Sequence, residues 1–77
     1  MKITDIKLGH AYSAKSGQVR QVIAEGPELV LYSGQAETDN IRYKVMVKGK
    51  GRTPVGSEGN ITRRAFATWA AEETRCL

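Results

Sequence analysis

The feature that most restricts how this 77-residue chain can fold is the run at residues 41–48, which alternates without a break. Ile41, Tyr43, Val45 and Val47 fall on one side, and Arg42, Lys44, Met46 and Lys48 on the other. A period of two sends successive side chains to opposite faces of a pleated backbone, so the run predicts a strand with one buried face. Such a strand needs partners. Residues 9–14 predict a short strand, ended by the turn Lys15-Ser16-Gly17. Residues 18–25 carry the β-branched Val19, Val22 and Ile23 and are stopped by Gly26-Pro27. Residues 28–33 predict the next strand, paired with 18–25 as a hairpin. Residues 34–40 are a polar connection, and residues 59–62 a short fifth strand.

One helix is expected, over residues 63–74. It holds alanines at 65, 67, 70 and 71 and no glycine or proline. Phe66, Trp69 and Ala70 lie at i, i+3 and i+4, which gathers the bulky rings on one stripe with Trp69 as the core anchor. Thr62 is placed to cap the first turn, and Ile61 to pack on Phe66 as a hydrophobic staple. Glu72 and Glu73 fall near the C-terminal end, where the helix dipole disfavours anions, so packing must hold this helix. The pattern predicts one mainly β domain over residues 1–77, a small SH3-like five-stranded bent sheet or barrel with one C-terminal α-helix.

Chain length limits what can be buried. A domain of this size removes only ~60–65% of its unfolded surface from water, and its expected stability is roughly 4–12 kcal/mol. No apolar run approaches the ~18 residues of a membrane span. The start of the chain has a lysine but no apolar stretch behind it, so no signal peptide is expected and the protein reads as cytoplasmic. Cys76 is the single cysteine, which excludes an internal disulfide and leaves a solvent-exposed thiol.

The net charge of +4 is unevenly spread. Between Ile41 and Arg64 lie Arg42, Lys44, Lys48, Lys50, Arg52, Arg63 and Arg64 against the single acid Glu58, a balance of +6. The remaining residues carry five bases and seven acids, a balance of −2. Clustered charge attracts an acidic partner more strongly than net charge alone would suggest.

Taken together, Gly9 and Tyr12, Arg20 and Val22, and Phe66, Ala67, Trp69 and Ala70 give the chain a resemblance to a group of small phage and prophage proteins. Those begin with a Gly-x-x-Tyr strand, continue with an Arg-x-Val strand and end in a Phe-Ala-x-Trp-Ala helix. The resemblance covers most of the chain, although its motifs are short and concern packing. It implies an SH3-like fold and a phage accessory setting, in the host cell cytosol, where neighbouring small genes often encode inhibitors of host defence. The glycine-rich stretch at residues 48–59 exceeds what that pattern requires, which marks it as the point of specialisation.

That stretch is not a nucleotide loop. Gly51 to Gly56 has P-loop spacing, but Ser57 stands where the lysine belongs, Glu58 follows, and no helix starts there to orient amides at a phosphate. Gly49-x-Gly51 lacks the third glycine of a dinucleotide fingerprint, since Pro54 occupies it. Two readings remain, a plain hairpin connection or a basic contact finger carrying Lys48, Lys50 and Arg52. His10 is the only histidine, and the serines lie outside any nucleophile-elbow context. One histidine and one cysteine do not make a zinc site. Glu37 and Asp39 belong to a solvated turn. No enzyme activity, metal, cofactor or small-molecule substrate is expected.

The predicted contact residues are therefore Arg42, Lys44, Lys48, Lys50, Arg52, Arg63 and Arg64. Lysines on a strand's outer face also serve simply to discourage edge pairing. Tyr12, Tyr32 and Tyr43 are candidates for an aromatic cage or base-stacking platform. Tyr43 shares its face with Ile41 and Val45 and is assigned to the core, so Tyr32 is the exposed candidate. Two functions follow: an anti-CRISPR-like accessory protein that covers an acidic protein surface or host nucleoprotein complex, or a small barrel that binds DNA or RNA phosphates directly. No membrane partner is expected.

Overall fold

The computed structural model describes residues 1–26, 29–36 and 38–74. A 3-10 turn at Ile3–Asp5 leads into β1 (Ala11–Ser13), β2 (Val19–Glu25), β3 (Asn40–Val47), β4 (Glu58–Thr62), the helix α1 (Arg63–Trp69) and β5 (Glu72–Thr74). All five strands pair antiparallel in one sheet, in the order β4-β3-β2-β1-β5. The protein is thus mainly β, with one short helix against one face. The sheet is not closed: among the described residues, β4 and β5 are its two edges.

The alternating run at 41–48 behaves as its pattern demands through Val45. Ile41 and Val45 are fully buried, and Tyr43 packs against the core cluster of Ile6, Tyr12, Val22, Ile41, Phe66, Ala67 and Ala70. Val47 departs from the pattern and is exposed, because the ladder is irregular there: Val19 faces Val47 while Arg20 faces Val45, with Met46 unpaired between them. A second irregularity lies between Val22 and Ala24. Such bulges increase local twist, which bends the sheet around the helix.

Three expectations fail. The strand at 28–33 does not form across its described part, residues 29–33; Glu28 lies outside the described residues. β2 pairs instead with β3 along its length and with β1 over Val19–Gln21, where Gly9 N–H extends the contact to Val22 O at 2.8 Å. The segment instead turns back on itself. Leu31 N–H donates to Gln35 Oε1 at 3.0 Å, and the Gln35 and buried Asn40 amides exchange two hydrogen bonds, each 3.0 Å. A buried amide left unsatisfied is costly, so this reciprocal pair ties the connection to the first residue of β3.

The helix is also shorter than predicted. It begins as expected, with Ala65 N–H donating to Thr62 Oγ1 at 3.1 Å and Ile61 packed against the core. It stops at Trp69, because Ala70 is extended (φ −72°, ψ 131°) and Ala71 N–H donates to Ser13 O at 2.8 Å. Residues 72–74 then pair with the free edge of β1. The glutamates that sat badly at a helix C-terminus thereby leave the helix, and the helix is not the C-terminal element.

Third, Trp69 is not the buried anchor; it is half-buried at the rim of the core. Phe66 takes that place, fully buried with Tyr12 edge-on at 5.5 Å and Trp69 tilted at 5.1 Å. Tyr12 is fully buried as well, so it does not belong to a surface cage. Its hydroxyl donates to Asp5 O at 2.5 Å and accepts from Lys7 N–H at 2.8 Å, fastening the N-terminal segment over the core. Cys76 lies outside the described residues, as does Glu37.

Candidate binding surface at the loop end of the sheet

β2 runs from Val19 to Glu25 and β3 returns from Asn40 to Val47, so the sheet has two distinct ends. At one end sit the β1–β2 turn and the long β3–β4 loop. At the other sit Glu25, Asp39, Asn40 and the start of α1. The residues that seemed one basic cluster along the chain are divided between these ends.

Arg63 belongs to the second end and is committed to the protein itself. Its Nε donates to Asp39 Oδ1 at 2.9 Å, while its terminal nitrogens reach Glu25 Oε2 and Ile6 O. Burial pulls the Arg63 pKa down, but the hydrogen bonds it donates to Glu25 and Asp39, with their negative charges, outweigh that and the net shift is upward. This guanidinium staples three separate segments together. Arg64 is exposed on the first helical turn nearby. Arg42 is half-buried and donates through Nε to Asn60 Oδ1 at 2.9 Å. Lys44 is exposed and stands opposite Glu58 of β4, which dilutes its field. Tyr32 is 64% exposed, but it lies on the connection that leaves β2 at Glu25, away from the long loop.

Lys48, Lys50 and Arg52 remain together at the first end, all exposed. Their loop is docked. Gly49, at φ +63°, lies against the β1–β2 turn so closely that a Cβ there would stand 2.6 Å from Gly17 C and 2.7 Å from Ser16 O. Only glycine allows both that backbone angle and that approach. Lys50 N–H donates to Ser16 O at 3.0 Å and closes the contact. At the loop's far side, Gly56 N–H donates to Val45 O and Val45 N–H to Ser57 O, both at 2.8 Å. Docking also brings in Lys15, an exposed cation of the β1–β2 turn that the sequence reading had not grouped with the loop.

Beneath the joined loops lies Gln18, 4% exposed, whose Oε1 accepts from Arg20 Nε at 2.7 Å. Arg20 lies over two aromatic rings, with Cζ 4.3 Å from the Tyr43 centroid and 4.2 Å from the Trp69 centroid. Cation–π contacts of this kind fix a flat guanidinium in one orientation. Desolvation lowers the Arg20 pKa, and the charge of Tyr43 only partly offsets it. The sequence signal for Arg20 was its phase, since Gln18, Arg20 and Val22 share a period of two and Val22 is core. Beside Trp69 an open groove of about 470 Å³ runs between residues 14–16 and 68–71.

His10 Nδ1 lies 3.2 Å from Glu73 Oε2 on the exposed side of the β1–β5 pairing. Among the described residues no three His, Cys, Asp or Glu side chains converge in a metal-binding group, and no helix is long and apolar enough to cross a membrane. No protein family, curated protein or solved structure matches this chain.

Proposed function

We propose that this chain is a non-enzymatic accessory binding protein of phage type. It docks through the loop end of its sheet on an acidic surface of a host nucleoprotein or defence effector and blocks it, in the manner of an anti-CRISPR inhibitor. The observation that carries this reading is the docking of the long loop on the β1–β2 turn, which brings Lys15, Lys48 and Lys50 to one end of the sheet. Cations carried on a docked loop cost less backbone order on binding than those on a flexible finger, and their common placement steers an acidic partner. The strand order also supports an SH3-like reading of the fold: four strands form a meander and the fifth, after a helical segment, returns beside the first.

The test is Lys48→Glu with Lys50→Glu. Both side chains are exposed, where substitutions usually change stability by less than ~0.5 kcal/mol each. Wild-type protein should retain its partner from nuclease-treated host lysate, and the double variant should lose that partner while melting within a few degrees of wild type. Equal capture by both would remove the loop end from the interface. Direct nucleic-acid binding is the competing outcome. It predicts capture that nuclease abolishes and affinity that falls with log salt at a slope near −0.9 per duplex phosphate neutralised.

A further inference from the structure

Two of the three half-buried arginines, Arg63 and Arg20, are treated differently by the fold. Arg63 meets two carboxylates, whereas Arg20 has one neutral acceptor, Gln18 Oε1, and two ring faces. No described side chain places a carboxylate on Arg20. No side-chain nitrogen or oxygen among the described residues is both buried and unpartnered, so the Arg20 Nη groups keep some contact with solvent. The side chain is thus held on its flat sides and at Nε, and it offers only its outer fork. A guanidinium fork in a fixed plane fits the two oxygens of a carboxylate in a bidentate pair.

We propose that Arg20 is the anchor of the loop-end surface and receives an Asp or Glu carboxylate from an acidic peptide segment of the partner. The neighbouring apolar side chain of that segment seats in the groove beside Trp69. The inference rests on the binding role proposed above and names the residue and ligand chemistry within it. Three observations select a peptide. The groove walls include Ala14, Ala70 and Ala71 with Trp69, which suits an aliphatic side chain better than a sugar-phosphate. Lys15 and Ser16, next to Ala14 on one wall, supply a charge and a hydroxyl for the peptide's remaining polar groups. The Tyr43 and Trp69 rings each give a face to Arg20 and also pack against Phe66, so they do not form a free platform on which bases could stack. Arginine is, with Trp and Tyr, among the side chains enriched in the few positions that dominate interface energetics.

The experiment pans a random seven-residue peptide library on the folded protein and measures the recovered sequences as free peptides. The expected result is enrichment of Asp or Glu next to Leu, Ile or Phe. Arg20→Lys, which keeps the charge and loses the fork, should weaken the best peptide at least tenfold, while Lys48→Gln with Lys50→Gln should weaken it only two- to threefold. On wild-type protein, adding that peptide should shift the NMR signals of Arg20 Nε–H and the Trp69 indole N–H, a readout independent of any variant's folding. A library without acidic enrichment, unshifted Arg20 and Trp69 signals, or a dT12 oligonucleotide that binds more tightly than every peptide would overturn the proposal. Should Arg20→Lys bind the lysate partner normally while Lys48→Glu with Lys50→Glu does not, the anchor is wrong and the docking surface stands.

Discussion

Gly49→Ala tests the contact on which the binding platform depends. The added Cβ would stand 2.6 Å from Gly17 C and 2.7 Å from Ser16 O, both backbone atoms in a tight turn that cannot swing aside. Its φ of +63° adds strain of about 1–2 kcal/mol for an L-residue. Forcing the two loops apart also breaks the bond from Lys50 N–H to Ser16 O, at a net cost of about 0.5–1.5 kcal/mol. With some loss of packing over buried Gln18, the whole change comes to about 2–4 kcal/mol. At about 4–8 °C per kcal/mol for a domain of this size, the melting temperature should fall by about 8–32 °C. Gly56→Ala is the control. Gly56 has φ +94° and open space around its Cβ position, so only the backbone strain applies, and a fall of about 5–15 °C is expected. Calorimetric melts of both variants, with amide hydrogen exchange at Lys50, separate the two contributions. If Gly49→Ala melts no lower than Gly56→Ala and Lys50 exchanges freely in wild type, the loop is an undocked finger and the platform argument fails.

Two further outcomes follow from the core. Phe66→Ala should cost about 3–5 kcal/mol, enough to unfold much of a domain whose expected stability is roughly 4–12 kcal/mol. Half-buried Trp69→Ala should cost about 1–3 kcal/mol, and urea titrations that rank the two the other way would contradict the packing described. The Tyr12 pKa is raised, chiefly by burial and only partly offset by the hydrogen bond from Lys7 N–H. A folded pKa above the unfolded value near 10 means that the stabilisation is complete below about pH 10 and is lost as pH rises through the folded pKa. Denaturant midpoints from pH 8 to pH 11.5 should fall at the alkaline end, and Tyr12→Phe should flatten that fall.

What could be settled along the chain was local. Period-two alternation located β3 and its buried face, the β-branched run located β2, and Thr62 with Ile61 located the helix start, because neighbouring residues alone determine those signals. The helix end was not local: Ala70 to Thr74 are acceptable helix residues, but the free edge of β1 offered a ladder, and only the sheet order reveals that edge. Residues 29–33 had strand composition, but β2 took β1 and β3 as its partners instead. Charge was misleading for the same reason. Closeness along the chain grouped Arg63 with Lys48, yet an antiparallel sheet sends them to opposite ends and gives Arg63 to Glu25 and Asp39. The fold in turn assembled what sequence distance concealed: Lys15 beside Lys50, because two glycine-bearing loops can touch backbone to backbone, and Arg20 over Tyr43 and Trp69, because bulged β2 and a helix that stops at Trp69 bring three distant residues to one point.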